Sequence, residues 1–209
     1  KSDFIPLREE DSKLILNYYI TADLAISTDQ RADFNCFLIA GVDENKRIQV
    51  KNVIKERGMD GREIVDTLIA LSRAYKPQAV GIEESQISQS IGPFLNEAML
   101  ASNEYLTLVP MKHMGKDKVT RCRSIQARMR AKTIKFDDQG EWYQPFVDEC
   151  LRFPRDKHDD QVDAFSYLGL MLDKLIEAPT PKELDDEHYN EEFQNSGLFE
   201  FGRNATTGY

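Results

Sequence analysis

Hydrophobic residues along this chain recur with two periods, the two-residue alternation typical of strands and the three-to-four-residue spacing typical of helices. Segments rich in β-branched and aromatic residues predict strands at 14–23, 34–43, 47–56, 79–85, 105–111 and 133–136. The turn DENK joins the second and third of these strands and predicts a β-hairpin. Residues 1–13 are polar and predict no regular structure.

Helical periodicity fills the intervals between the later strands. It predicts helices at 59–76, 88–104, 116–131, 141–153 and 159–177. Three successive strands of the antiparallel type, followed by strands separated by helices, indicate an α/β fold. We therefore expect a mixed sheet of three antiparallel strands followed by parallel strands, flanked by helices.

Composition excludes several classes of protein. The 209 residues are enough for one well-packed domain. No apolar run approaches the roughly 18 residues of a membrane span, so we expect no membrane partner. Three widely spaced cysteines, Cys36, Cys122 and Cys150, without a CxxC pair, argue against a zinc site or a disulfide framework.

Charge is unevenly distributed along the chain, whose net charge is −9. Residues 112–135 hold nine lysines and arginines against the single Asp117, which predicts a surface that contacts phosphates, although a solvated helix face is the alternative. Residues 180–209 hold two basic and seven acidic residues. We expect a domain over 1–179 and an acidic tail over 180–209 that is disordered unless a partner binds it.

Residues 158–172, HDDQVDAFSYLGLML, begin a strongly apolar helix with three aspartates. Val162, Phe165 and Leu168 predict its buried face, and Asp160 and Asp163 lie one turn apart, roughly opposite that face. Two like charges at this spacing repel each other, so either solvent or a bound cation should compensate them. Asp159 is the expected helix cap.

Further acids end the predicted central strands. Asp23 ends the first strand, and Glu83 and Glu84 end the fourth. Because successive strand residues face opposite sides, only one of the two glutamates can join a cluster, and we favour Glu83. Acids at such positions are often plain caps or turn residues, but carboxylates gathered at one sheet edge would suit Mg²⁺ or Mn²⁺.

Four segments in this order, TADLA, VGIEES, KVTRCRSIQARMRAKTIKF and HDDQVDAFSYL, resemble the C-terminal nuclease domain of the large terminase subunit of tailed bacteriophages. The resemblance covers roughly residues 14–175. It implies a ribonuclease H-like fold and the cutting of concatemeric double-stranded DNA by two-metal phosphodiester hydrolysis with little sequence specificity. Mg²⁺ or Mn²⁺ would be the cofactor, with two ions expected.

The resemblance also implies roles for individual residues. Asp23 would bridge both ions, Glu83 would bind one of them, and Asp160 and Asp163 would complete the cluster, with the division between these last two left open. Lys118 and Arg121 match the family's K-x-x-R arrangement, and Leu24 stands where the family often has proline. The predicted DNA-binding residues are Lys116, Lys118, Arg121, Arg123, Arg128 and Arg130.

The same resemblance implies partners and a location. An N-terminal ATPase motor domain would precede this domain in the full subunit, and the portal protein and the small terminase subunit would bind it. The site of action would be the host cell cytoplasm, at the procapsid portal during packaging. Two alternatives remain: a Holliday-junction resolvase or transposase-like nuclease of the same fold, and a non-catalytic module that docks on the portal or motor.

Overall fold

A computed structural model describes residues 2–25, 34–87, 91–112, 117–156 and 158–177. The chain divides into two compact units, Lys1–Asp173 and Lys174–Tyr209. Only residues 174–177 of the second unit are described, and they are helical. The predicted boundary between domain and tail, at 179 and 180, lies outside the described residues.

The strands form a single seven-stranded sheet with the order β1-β7-β4-β3-β2-β5-β6. They are β1 (Ile5–Pro6), β2 (Asn17–Asp23), β3 (Asn35–Val42), β4 (Ile48–Glu56), β5 (Ala79–Glu83), β6 (Leu108–Met111) and β7 (Ile134–Phe136). Strands β2, β3 and β4 are antiparallel to their neighbours in this trio, whereas β5 is parallel to β2, β6 to β5, and β7 to β4. The predicted mixed sheet is confirmed.

Seven α-helices are found in the described ranges: α1 (Gly61–Tyr75), α2 (Glu84–Gln86), α3 (Gly92–Ser102), α4 (Lys118–Arg121), α5 (Arg123–Arg130), α6 (Tyr143–Arg152) and α7 (Asp160–Glu177). None of these described helices is long and apolar enough to cross a membrane. The basic segment predicted as one helix is divided at Cys122, where α4 ends and α5 begins.

The N-terminal residues differ from the prediction. Ile5 and Pro6 form β1, which runs parallel to β7 at the edge of the sheet. A 3-10 helix follows at Asp11–Lys13. A strand of two residues carries no periodicity, and proline is tolerated there because an edge strand leaves one row of N–H groups unpaired.

Alternation along β3 divides the core between the two faces of the sheet. Phe37 and Ile39 pack on one face with the buried side chains of α1 and α3. Cys36, Leu38 and Ala40 pack on the other face with those of α5, α6 and α7. The sheet is therefore the middle of three layers.

Helix α7 packs directly against β2 and β5. The Thr21 hydroxyl donates a 2.7 Å hydrogen bond to the Ala164 carbonyl oxygen. A Cβ atom added to Gly81 would lie 3.0 Å from Met171 Sδ and 3.2 Å from Thr21 Cγ2, so a larger residue there would require these side chains to shift. Asp160, Asp163 and Tyr167 are buried as well as the apolar stripe, so the flank of α7 that carries the acids is also covered by the protein.

Candidate functional site

Strand alternation places Asp23 and Glu83 side by side on the α7 face of the sheet. Ala22 and Ile82 belong to the core on the opposite face, so the next residue of each strand points towards α7. Ala22 and Ile82 are also partners in the parallel register of β2 and β5. The two acids therefore follow directly from paired positions at the carboxyl ends of parallel strands.

The first turn of α7 adds Asp160 and Asp163 to this edge. All four predicted acids line one open cavity of about 390 Å³, together with Asp159, Lys118, Arg121, Phe34 and Tyr167. Glu84 does not line this cavity and pairs with Lys112 at 3.2 Å. The sheet and α7 thus bring together carboxylates that lie far apart in sequence.

Two cations from α4 compensate Asp163. Arg121 Nη2 donates to Asp163 Oδ1 at 2.7 Å, and Lys118 Nζ lies 2.9 Å from Asp163 Oδ2. Lys118 also donates to Asp159 at 2.6 Å. Burial acts to lower the pKa of Lys118, but its bonds to Asp159 and Asp163 outweigh burial and raise that pKa. Asp159, predicted as a cap, is therefore bonded to a lysine.

The Asp23 carboxylate, unlike that of Asp163, is not bonded to a lysine or arginine of the described residues. Among the described residues, none bonds to its carboxylate. Burial, followed by the negative charges of Asp163 and Asp160, raises the pKa of Asp23 well above its ordinary 3.8. Repulsion of this kind is what a cation placed among the carboxylates would relieve.

A third basic residue, Lys55, approaches Asp160 from β4. Lys55 Nζ lies 3.3 Å from Asp160 Oδ2 and 2.6 Å from Glu149 Oε2 of helix α6. Asp160 Oδ2 is buried and has no hydrogen bond of good geometry within the described ranges. Burial raises the pKa of Asp160, although Lys55 acts in the opposite direction.

A bulge in β4 decides which side chain of that strand faces the acids. Ala40 pairs with Val50 but Ile39 pairs with Asn52, so Lys51 is an extra residue. A one-residue shift exchanges the two faces of a strand. Lys55, rather than its neighbour Ile54, consequently points towards α7.

Residues 20–172 match the family described as the terminase RNaseH-like domain. The chain belongs to this family. The predicted relationship to terminases and the ribonuclease H-like fold are thereby confirmed. A search of curated proteins finds no match.

Solved structures support the same fold for this terminase domain. The large terminase nuclease of the thermophilic phage G20c is 16% identical, with a TM-score of 0.54 over 78% of this chain and 90% of that one. Its form with bound magnesium is 17% identical, with a TM-score of 0.54 over 79% of this chain and 92% of that one. A yeast mitochondrial Holliday junction resolvase is 13% identical over 72% of this chain and 77% of its own, but its TM-score of 0.48 carries no functional weight.

The donor set of the terminase domain fits a hard divalent cation. Carboxylate oxygens from three elements surround one cavity, and Asp160 Oδ2 is buried without a good hydrogen bond in the described part of the chain. Burial, followed by the negative charges of Asp23 and Glu83, raises the pKa of Tyr167. This direction indicates that the electrostatic potential in the cavity is negative. Among the described residues, no three acidic, histidine or cysteine side chains form a group that could hold a metal ion as they stand. Lys118 and Arg121 form ion pairs with Asp163, and Lys55 lies 3.3 Å from Asp160.

The predicted DNA-binding residues have different environments. Lys116 lies outside the described residues. Lys118 is exposed at the cavity, but Arg121 is buried and bonded to Asp163. Arg128 pairs with Asp173 at 2.9 Å, and Arg123 and Arg130 are exposed on α5.

Sequence patterns missed Lys55 and Glu149. Glu149 lies three residues after Phe146 and four before Phe153, which places a carboxylate on the apolar face of α6. An acid at such a position needs buried partners, and this signal could have singled it out. Lys55 had no comparable signal, because only the bulge turns it towards the site.

Proposed function

We propose that this chain is the divalent-metal-dependent endonuclease domain of a viral large terminase subunit, which cuts concatemeric double-stranded DNA with little sequence specificity. The observation that carries the proposal is the convergence of Asp23, Glu83, Asp160 and Asp163 in one open cavity at the carboxyl ends of parallel strands. Carboxylates are not concentrated in this way for stability, since the raised pKa of Asp23 reflects a cost.

The four carboxylates would hold Mg²⁺ or Mn²⁺, and the proposal includes two ions. Asp23, which lacks a described partner, would be the shared ligand between Glu83 of β5 and Asp160 of α7. When bound, the ions would neutralise the charge of a phosphodiester and lower the pKa of an attacking water. Glu83 is held in place by Ser85, whose hydroxyl donates to it at 2.5 Å.

The basic residues at the cavity would exchange partners when DNA and cations arrive. Lys118 bonds to two carboxylates and is half-exposed, so it can turn to a phosphate oxygen once those acids have other ligands. Arg121 is buried and would keep α4 attached to α7 through Asp163. Exposed Arg123 and Arg130 would bind the DNA backbone, whose phosphates carry no sequence information.

Plasmid cleavage by the purified domain tests the activity. We expect nicking and linearisation with Mg²⁺ or Mn²⁺, no cleavage in EDTA, and loss of cleavage in Asp23→Asn and Glu83→Gln. Glu84→Gln is the matched control, since it makes the same change of charge one residue away, outside the cavity. Full cleavage by Asp23→Asn, or equal loss in both glutamate variants, would contradict the proposed site.

The same assay addresses the alternatives. A resolvase would cut a four-way junction in large preference to linear duplex of the same sequence, whereas we expect comparable rates. A docking module would cut neither substrate with any divalent ion.

The proposal extends to the assembly in which the domain works. We propose that it acts behind an ATPase motor domain of the same subunit, with the portal protein and the small terminase subunit as further partners, in the host cytoplasm at the procapsid portal. Co-purification of the full subunit with the portal protein would test the proposed contact between the two. Failure of the subunit to bind the portal protein during active packaging would contradict the proposed location.

A further inference from the structure

We propose that Glu149 is a positioning residue of the site, which fixes the first turn of α7 and competes with Asp160 for Lys55, so that the lysine binds Asp160 only weakly and a divalent cation can replace it there. The inference rests on the proposed function, because it concerns the same carboxylates. Glu149 itself does not line the cavity.

Glu149 is a buried carboxylate with all of its bonds directed at the site. Oε1 accepts from the backbone N–H of Gln161 at 2.7 Å and of Val162 at 3.3 Å. Oε2 accepts from Gln161 Nε2 at 2.6 Å and from Lys55 Nζ at 2.6 Å. Its side chain is only 6% exposed, so these donors replace nearly all of its hydration.

The bonds to the backbone make Glu149 the cap of α7. The first N–H groups of a helix have no partner within it, and a negative charge beside them interacts favourably with the helix dipole. A cap contributed by another helix also fixes where the capped helix lies. Asp160 and Asp163 belong to this first turn, so Glu149 sets the position of both relative to α6.

The position of Lys55 is the second part of the argument. Its ammonium group lies between two carboxylates, 2.6 Å from Glu149 and 3.3 Å from Asp160, and 4.3 Å from the centre of the Phe34 ring. The closer acid holds the lysine. If Glu149 lost its charge, Asp160 would become the nearest anion, and Lys55 would move onto the oxygen that a cation needs.

The inference can be tested independently of cleavage by measuring how tightly the domain binds Mn²⁺ in the absence of DNA. Calorimetry and the electron paramagnetic resonance of free Mn²⁺ both give this affinity. Glu149→Gln keeps an acceptor oxygen for the helix cap but removes the charge that holds Lys55. We expect its Mn²⁺ affinity to fall about 10- to 100-fold, the range typical of residues that orient metal ligands. Asp148→Asn, the same change on the exposed side of α6, should bind Mn²⁺ as the wild type does.

A second substitution separates positioning from simple capping. In the double variant Glu149→Gln/Lys55→Met no lysine remains to occupy Asp160, so most of the lost affinity should return. Lys55→Met alone should bind Mn²⁺ at least as tightly as the wild type. If the affinity lost in Glu149→Gln came from a weaker helix cap, the double variant would stay as weak as Glu149→Gln, and that result would overturn the role of Glu149 in drawing Lys55 from Asp160.

The outcomes also separate this inference from the proposed function. No Mn²⁺ binding by the folded wild type overturns both. Wild-type binding together with unchanged affinity in Glu149→Gln overturns the positioning role alone. If Glu149→Gln does not fold, the comparison of Lys55→Met with the wild type still decides, because weaker binding in that variant contradicts competition for Asp160.

Discussion

Helices α1 and α7 both begin with acidic residues, but they use them differently. In α1 the exposed Asp60 side chain accepts hydrogen bonds from the backbone N–H groups of Arg62 and Glu63. The Glu63 side chain in turn accepts from the backbone N–H of Asp60, which completes a capping box within four consecutive residues. In α7 the acids of the first turn are buried and line a cavity, while Glu149 from another helix accepts from the N–H groups.

The difference separates acids that build a helix from acids available for chemistry. Acids of the α1 type stabilise local structure and are satisfied by their own backbone. Acids of the α7 type are not needed as caps, and lysine or arginine from β4 and α4 compensates them. A helix that begins with buried acids and takes its cap from elsewhere is therefore a better candidate for a binding site.

The largest expected effect contrasts the two groups of acids directly. Asp160→Asn should lower metal-dependent DNA cleavage about 10³-fold or more, because a bound metal supplies several kcal/mol in the transition state and about 1.4 kcal/mol corresponds to tenfold. Asp60→Asn, the same change at the start of α1, should leave the cleavage rate unchanged. Initial rates on supercoiled plasmid measure both variants, and similar losses in the two would end the distinction.

The two caps should also differ in how much they contribute to the free energy of unfolding. Glu149→Ala removes one partner of a buried ion pair and should lower the free energy of unfolding by about 3 kcal/mol. Asp60→Ala removes an exposed cap and should lower it by about 1 kcal/mol. Urea unfolding in EDTA gives both values, and a larger loss for Asp60→Ala would contradict the role of Glu149.

The pH dependence of the free energy of unfolding, measured without DNA or metal, tests whether the acids of the cavity are strained by their burial. Burial, and then the charges of Asp163 and Asp160, raises the pKa of Asp23 above 3.8, so the folded protein keeps this proton over a window in which the unfolded chain has lost it. The protonated Asp23 side chain therefore makes its full contribution to the free energy of unfolding below about pH 4. This contribution is lost as the pH rises through the pKa that Asp23 has in the folded protein.

Asp23→Asn should remove this pH dependence. Urea unfolding in EDTA at several pH values should show the wild type losing stability relative to the variant as pH rises above about 4. Parallel curves for the two proteins would mean that Asp23 titrates normally.

The smallest effect concerns the exposed basic residues. Arg123→Gln and Arg130→Gln should each weaken DNA binding slightly and lower the slope of log affinity against log salt by about 1, equally for unrelated sequences. Arg62→Gln on α1, across the sheet from the cavity, is the matched control. Fluorescence anisotropy over a salt series measures these slopes, and a discrete preferred sequence would count against binding through phosphates.

Local patterns were sufficient for most of the fold. Strand alternation and helical spacing depend on neighbours two to four residues apart, and the predicted elements from 14 to 177 match those observed with shifts of a few residues at their ends. The exceptions are local as well. β1 is too short to show a period, and the division between α4 and α5 at Cys122 leaves the basic pattern unchanged. The strand predicted at 79–85 ends at Glu83, where the short helix α2 follows.

The sequence by itself determined which acids meet. Asp23 and Glu83 end strands whose alternation faces them to one side, and Asp160 and Asp163 begin the helix that covers that side. Tertiary structure alone decided how these acids are compensated. Lys55 and Glu149 are 94 residues apart, and Arg121 and Asp163 are 42 apart. Such pairs depend on a bulge and on how separate helices pack, and no short-range period encodes either.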